Sequence, residues 1–173
     1  MPLTLTPEDG TGLASANSFA SVAEADTYHE GVVTAHRSTW DGASNETKEE
    51  SLVMASRLLD RKTSWPGSRL TGTQALSWPR DGAECDGHDV PSNLVPVPVK
   101  DATSELARLL IANDLTVDQD QNQLEGIGLG KGALEIKFNG KVKARIPSIV
   151  DDLLGCYGDL EGGGGFRIAK TSR

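Results

Sequence analysis

A run of glycines and prolines in the middle of the chain limits its fold more than any other feature. Between residues 63 and 93 these two residue types recur too often for regular secondary-structure elements, at Pro66, Gly67, Gly72, Pro79, Gly82, Gly87 and Pro91. We therefore predict a long ordered loop, held in place by Trp65 and Trp78. A loop of this length in a compact domain is usually functional or in contact with a partner.

Helical patterns precede this loop. Ser21 and Glu24 match a capping box, which predicts a helix from about Val22 to Val32. Phe19 precedes it as a hydrophobic staple, and the apolar spacing places Val22, Ala25 and Tyr28 on its buried side. An acidic first turn and regularly spaced apolar residues then predict a second helix, from about Glu46 to Arg61.

Two further helices are predicted after the loop. Pro96 and Pro98 introduce the first of them, since proline is tolerated in a first helical turn, and we expect Leu106 to Ile111 to be the most buried stretch in the chain. The second runs from Ser148 to Tyr157 and is expected to bury four apolar side chains, those of Ile149, Val150, Leu153 and Leu154.

Extended structure is predicted at both ends and in one hairpin. Residues 1–12 read as a short strand or arm whose partner could lie on another subunit. The glycines of residues 126–132 read as a flexible connection, and strands on either side of Asn139-Gly140 form a hairpin over residues 133–146. Gly162 to Gly165 end regular structure. The predicted fold class is mainly α (α+β), a small bundle of about four helices with the loop, one β-hairpin and extended terminal arms. It forms one domain (1–161) with a glycine-hinged tail (162–173).

Charge and composition exclude several classes of protein. Seventeen basic and 25 acidic residues give a net charge of −8, which disfavours broad affinity for nucleic acid. No run of apolar residues is long enough for a membrane span, and the first 12 residues do not resemble a signal peptide. Cys85 and Cys156 show no spacing pattern, so we expect two reduced thiols in a protein that assembles in the cytoplasm.

Candidate catalytic and ligand-binding motifs are incomplete. Cys85 and His88 have a zinc-like spacing, but a structural zinc site needs four ligands and the other histidines lie in a different segment. A calcium-like stretch from Asp118 lacks the required glycine and glutamate, and Gly130-Lys131 lacks the rest of a phosphate loop. No histidine has an adjacent nucleophile. We therefore expect no enzymatic activity, no cofactor and no metal.

Aromatic and basic residues of the loop allow two interpretations. Trp65, Arg69, Trp78 and Arg80 could stack and bind the bases of a single strand of nucleic acid. Alternatively, the indoles anchor the loop on the helices while the arginines bind loop carbonyls. Two tryptophans beside prolines favour the anchor interpretation.

The tail that follows the glycines carries three cations and two large apolar side chains. It is either a disordered terminus or a peptide that becomes ordered on a partner. The residues expected to bind a partner are Phe166, Arg167, Ile168, Lys170 and Arg173. In the hairpin, the candidates for an inter-subunit or tail-facing contact are Ile136, Phe138, Asn139, Gly140 and Val142, since an isolated two-stranded hairpin is marginal in water.

A series of short motifs follows one another in a specific order along the chain. These motifs are Asn17-Ser18-Phe19, Ser21 to Tyr28, Leu52 with Ala55 to Asp60, Trp65-Pro66-Gly67, Gln74 to Arg80, Val97 to Lys100, Ala102 and Glu105 to Ala107. Together they resemble a family of tailed-phage proteins that is encoded among head genes and is often catalogued as DnaT-like single-stranded-DNA-binding proteins. The family is also similar to head-to-tail adaptor, or head completion, proteins. The Q-x-L-x-W-P-R element is the most specific of these motifs.

The resemblance implies a structural virion protein of the phage neck. Such a protein forms a ring, commonly of twelve copies, between the portal and the tail or next connector, and DNA passes through the ring without specific binding. The implied partners are therefore copies of this chain, the portal protein and a tail-side protein, with assembly in the bacterial host cytoplasm. The alternative function is that of a single-stranded-DNA-binding module.

Overall fold

A computed structural model describes residues 3–113, 124–130, 133–138 and 146–160 of the chain. Within these residues five α-helices occur in the order α1 (Val22–Glu30), α2 (Thr34–Asp41), α3 (Asn45–Lys62), α4 (Val97–Ala112) and α5 (Ser148–Leu154). The strands are short, namely β1 (Thr63–Ser64), β2 (Ser68–Arg69), β3 (Arg80–Asp81), β4 (Glu84–Cys85), β5 (His88–Asp89), β6 (Leu124–Gly130), β7 (Ala133–Phe138) and β8 (Asp159–Leu160). The mainly α (α+β) class predicted from the sequence is confirmed.

Helix α4 is the centre of the bundle. The other four helices all contact it, so it is covered on several sides. Its fully buried stretch is Ala102 to Arg108, which includes the polar residues Thr103, Ser104 and Glu105. The prediction that Leu106 to Ile111 would be the most buried is wrong, because Leu109, Leu110 and Ile111 lie near the end of the helix and are only partly covered.

Helices α1 and α3 form where the sequence predicts them. The Ser21 hydroxyl accepts from the Glu24 amide, and the Glu24 carboxylate accepts from the Ser21 amide, so the capping box is complete. Ala25 is buried as predicted, whereas Val22 and Tyr28 are only partly covered and His29 takes the second buried position. In α3, Ser44 caps the first turn by accepting from the Thr47 amide.

Helix α2 was not predicted from the sequence, because no capping residue marks its start. Val33 precedes it and offers no side-chain cap. Its one buried residue is Trp40, whose indole N–H donates to Asp26 at 2.8 Å and whose ring lies under the Lys48 ammonium, 5.0 Å from the ring centroid. Contacts with neighbouring elements therefore stabilise this helix.

Helix α5 is shorter than predicted. It ends at Leu154, and a 3-10 turn, Gly155–Tyr157, covers the rest of the predicted helix. Val150 and Leu154 are buried as expected and Leu153 is partly buried, but Ile149 is 44% exposed. Asp151 is buried instead, and its carboxylate accepts from the Leu160 amide at 3.3 Å.

The loop between α3 and α4 contains short strand pairs. β2 pairs with β3 and β4 with β5, while β1 pairs with β8 at the far end of the described chain. The expectation that prolines and glycines leave no regular structure here is therefore wrong at the scale of two residues. A two-residue strand needs only a short interval between breakers, and each pair is antiparallel.

The amino-terminal arm is bound by its own chain. Asn17 holds it through three hydrogen bonds, two with Thr6 and one with the Thr4 carbonyl, and the Glu8 amide donates to the Ser18 carbonyl. Residues 4–8 therefore find their hydrogen-bond partners within their own chain and do not require a second subunit. Asn17 supplies both a side chain and a backbone amide, which a sequence pattern does not reveal.

The hairpin differs from the prediction on its amino-terminal side. β6 and β7 pair over residues 124–138, with Ile136 opposite Ile127 and Phe138 opposite Leu124. The glycine-rich residues 126–130 are thus part of a strand and not a flexible connection. Pairing with β7 holds this backbone extended, although glycine inside a strand weakens it. The predicted turn at Asn139-Gly140 and the strand after it lie outside the described residues.

The two cysteines form a disulfide, so the expectation of two reduced thiols is wrong. They lie 71 residues apart, and no spacing pattern marks the pair. The fold places β4 against the 3-10 turn, which brings the two Cα atoms to 5.2 Å, inside the usual disulfide range. Over the ranges that the structure covers, no helix is long and apolar enough to cross a membrane.

Candidate functional site

The two loop tryptophans belong to a row of aromatic rings that runs into the core. Phe19 and Trp65 meet edge-on with centroids 5.9 Å apart, and Trp65 meets Trp78 edge-on at 6.3 Å. Tyr157 continues the row, 6.4 Å from Trp78. Trp78 is fully buried and Trp65 is half-buried, so Trp78 has no ring face open to a nucleic-acid base.

Arg80 binds the backbone of the loop around it. Its guanidinium donates to the carbonyls of Pro66, Ser77 and Gly67, the last two at 3.0 and 2.7 Å. The side chain is buried, and this burial is the main cause that lowers the pKa of Arg80 from its ordinary value. These contacts are those of a loop anchor.

Gln74 performs a similar task, and the sequence interpretation did not assign it one. Its carboxamide oxygen accepts from the Thr71 amide at 2.8 Å, and its nitrogen donates to the carbonyls of Leu76 and Pro79 at 2.8 and 3.0 Å. The signal for this role was the Q-x-L-x-W-P-R element itself. Its polar ends bind the loop backbone, and its apolar residues Leu76 and Trp78 enter the core.

Asp60 links the loop to helix α3. Its carboxylate accepts from the Ser77 amide at 2.6 Å and lies 4.0 Å from the Arg69 guanidinium. Arg69 is the most exposed of the four predicted loop residues, with 45% of its side chain accessible. It also makes two long hydrogen bonds inside the loop, to the Gln74 carbonyl and the Ser77 hydroxyl. Of the four, Arg69 is therefore the one that remains accessible to a ligand.

A buried ion pair lies within helix α4. Arg108 binds both carboxylate oxygens of Glu105, at 3.1 and 2.5 Å, and donates to the His36 carbonyl of α2 at 3.3 Å. Burial, reinforced by Glu105, raises the pKa of the nearby Tyr28 to about 12. His29 contacts the Ser104 carbonyl at 3.2 Å, and its burial lowers its pKa. This cluster joins α1, α2 and α4.

Most cations with described side chains have a partner. Six of the nine, namely Arg37, Lys48, Arg69, Arg80, Lys100 and Arg108, bind acids or backbone carbonyls. The other three, Arg57, Arg61 and Lys62, are exposed on the last turns of α3 and have no acidic partner among the described residues. We name these three the α3 basic ridge. It ends where β1 pairs with β8.

The remaining predicted site residues are only partly described. Ile136 and Phe138 lie in β7 at the register positions given above. The other hairpin candidates, Asn139, Gly140 and Val142, lie outside the described residues, as do the tail residues Phe166, Arg167, Ile168, Lys170 and Arg173.

One group of potential metal ligands is close together in the part of the chain that the structure describes. A sulfur each from Cys85 and Cys156 and a carboxylate oxygen from Asp86 lie within 4.8 Å of one another. Cys85 is also directly opposite His88 across the β4–β5 pair. The sequence showed only Cys85 and His88 at a zinc-like spacing. The fold adds Cys156 as a further potential ligand beside Cys85.

The comparisons with known proteins give one result. A family model described as "Putative DnaT-like ssDNA binding protein" matches residues 3–173. Neither a curated protein nor a solved structure matches the chain significantly. Because the family model covers nearly the whole chain, the chain belongs to the family of that description.

Proposed function

We propose that this chain is a non-enzymatic assembly protein, a head-to-tail adaptor that forms a ring on the portal of a tailed-phage particle. The observation that carries the proposal is the interior role of the loop. Trp78 is buried and Arg80 is bonded to carbonyls, so the loop's aromatic and basic residues hold the domain together. An adaptor needs such a rigid body, with partner contacts made by segments that extend from it.

Charge is distributed in a way that suits this role. Residues 1–130 contain 20 acidic and nine basic residues, a net charge of −11, and residues 131–173 contain five acidic and eight basic residues, a net charge of +3. Twelve copies at −8 each would carry a charge of −96, and an acidic channel would repel DNA phosphates and let the genome pass. A ring whose channel wall is basic would contradict this part of the proposal.

The tail is the proposed portal contact. It follows β8, which is held to the end of α3 by pairing with β1, so the tail starts from a firmly attached point. Arg167, Lys170 and Arg173 would meet acidic portal residues, while Phe166 and Ile168 enter apolar grooves. A tail that becomes ordered on a partner can wrap a large surface, at the expense of the entropy lost on ordering.

Co-sedimentation with purified portal rings, followed by native mass measurement, tests the proposal. We expect the full chain to attach in a fixed stoichiometry and the deletion of Gly162 to Arg173 to abolish attachment. A matched control keeps the composition of the tail but scrambles its order; it should bind weakly if the apolar positions matter. Undiminished attachment of the deletion variant would refute the tail as the portal contact.

Single-stranded-DNA binding is the second candidate, and the description of the family favours it. The described part of the chain offers the α3 basic ridge for this purpose, with Arg69 and half-buried Trp65 further along the same segment. Three unpartnered cations are a small electrostatic footprint, because each phosphate contact contributes to both the affinity and its salt dependence.

Affinity for a fluorescent single-stranded oligonucleotide at low and at physiological salt distinguishes the two candidates. A DNA-binding module should bind measurably, and its affinity should fall steeply with salt. Replacing Arg57, Arg61 and Lys62 together by alanine should then weaken binding, whereas the control Arg37→Ala, whose side chain is paired with Asp41, should not. Negligible binding at both salts would leave the adaptor as the supported function.

A further inference from the structure

Side chains of the kinds that bind zinc gather where the β4–β5 pair meets the 3-10 turn. Cys85, Asp86 and Cys156 bring two sulfurs and a carboxylate oxygen within 4.8 Å of one another. His88 is the direct cross-strand neighbour of Cys85, and such neighbours share one face of the pair with Cβ atoms about 5 Å apart. We infer that these four residues, named here the β4–β5 site, bind one zinc ion when the protein is reduced.

The turn between the two strands sets the geometry of the site. Asp86 and Gly87 have φ angles of 52° and 80°, and two consecutive positive φ values are the mark of a two-residue hairpin turn that favours Asp-Gly. This turn fixes Cys85 and His88 opposite each other. The C-x-x-H spacing therefore places two candidate ligands at opposed backbone positions. The His88 imidazole is not among the atoms that lie within 4.8 Å of one another, so it has to turn toward the sulfurs to bind the same ion.

Tertiary structure supplies the third strong ligand. Cys156 comes from the 3-10 turn after α5, with its Cα atom 5.2 Å from that of Cys85. Two thiolates, an imidazole and a carboxylate are a donor set that suits the tetrahedral preference of zinc. Asp86 and His88 are exposed and Cys156 is partly buried, so an ion can reach the site from solvent on that side.

Zinc and the disulfide are alternative uses of the same two sulfurs. Two molecules of a thiol reductant convert the disulfide into two cysteine thiols and are themselves joined in a disulfide. Binding of Zn²⁺ then releases the two thiol protons and forms two zinc–sulfur bonds, and the metal is neither oxidised nor reduced. Disulfides are rare in a reducing cytoplasm. Zinc would hold the loop to the 3-10 turn under those conditions.

Cobalt titration of the reduced full-length chain under anaerobic conditions tests the inference. Co²⁺ takes the place of Zn²⁺ and reports thiolate ligands by a near-ultraviolet charge-transfer band and tetrahedral geometry by its visible bands. We expect saturation at one Co²⁺ per chain and loss of both signals when Zn²⁺ is added. Reduced Cys156→Ser should lose much of the charge-transfer band. Oxidised protein should bind no Co²⁺ at this site.

Two histidine variants give a matched comparison that leaves the cysteines intact. His88→Ala should bind Co²⁺ more weakly and shift the visible bands, whereas His36→Ala, an exposed residue of α2, should match the wild type. Circular dichroism of each variant checks that the helices remain folded. The inference is overturned if the reduced wild type binds no stoichiometric Co²⁺, or if its bands are the same in folded His88→Ala.

Discussion

Arg80 satisfies the backbone of a segment that has almost no regular structure of its own. Its planar guanidinium has several donors in a fixed arrangement. One side chain can therefore bind the Gly67 carbonyl, directly before β2, and the Ser77 carbonyl, before β3. A buried carbonyl that loses its donor carries the full penalty of its desolvation. The stability of the loop therefore depends strongly on this residue.

The variant Arg80→Lys should lower the free energy of unfolding by about 2–3 kcal/mol, because one ammonium cannot reproduce the fork of donors. Urea denaturation measures the change. Arg57→Lys is the matched control, since Arg57 is exposed and unpaired, and its effect should stay within about 0.5 kcal/mol. Equal stability of the two variants would show that Arg80 does not anchor the loop.

His29 makes stability depend on pH. Burial holds the pKa of His29 below its ordinary value of 6.5, so the unfolded chain binds a proton more readily than the folded one. The folded state is therefore favoured above pH 6.5, and this contribution is lost as the pH falls from 6.5 through the lowered pKa. His29→Gln should flatten this part of a plot of unfolding free energy against pH.

At the scale of elements, the chain turns sharply between its short strands. Gly67 lies between β1 and β2 and Gly82 between β3 and β4, with nearly equal φ angles of 65° and 64°. Their surroundings differ. A Cβ atom on Gly67 would lie 2.4 Å from the Asp81 carbonyl oxygen, whereas one on Gly82 would meet nothing within 4 Å.

These two glycines separate backbone strain from crowding. Gly82→Ala should destabilise the protein by about 1 kcal/mol, the effect of a positive φ alone. Gly67→Ala should lose about 1–3 kcal/mol more, because the methyl group must displace backbone of the β3–β4 connection. Thermal and urea denaturation of both variants provide the comparison. Equal losses would mean that the strand pairs around Gly67 move apart easily.

At the scale of the whole molecule, β8 closes the domain. Leu160 is 4% exposed and belongs to the core, and its strand pairs with β1 directly after α3. The chain thus returns to the bundle before the glycine-rich tail begins. The body and the tail are therefore expected to respond differently to truncation.

Two truncations that differ by three residues test this division. Removal of residues 162–173 should change the free energy of unfolding by less than about 0.5 kcal/mol, as for other surface changes. Removal of residues 159–173 also deletes Leu160 and the β1–β8 pair, and should lose about 2–5 kcal/mol, as for loss of a buried leucine. If the shorter truncation is equally harmful, the tail belongs to the folded body.

Local patterns in the sequence were enough to predict four of the five described helices. A capping box, an apolar repeat or a proline in a first turn acts within one or two helical turns, so α1, α3, α4 and α5 were predictable from their own residues. The nature of Trp65, Arg69, Trp78 and Arg80 as candidates was also readable. The prolines beside the two tryptophans favoured the loop-anchor interpretation, but the burial of Trp78 and the carbonyl partners of Arg80 depend on residues elsewhere in the chain.

Tertiary structure decided the features that join remote segments. Helix α2 depends on Trp40 meeting Asp26 and Lys48, and α4 is buried on several sides because four helices surround it. Cys156 reaches Cys85 only because the 3-10 turn packs on β4. Contacts between residues tens of positions apart leave no periodic trace in either segment. For that reason the cysteine pair, the full burial of Trp78 and the carbonyl partners of Arg80 emerged only from the fold.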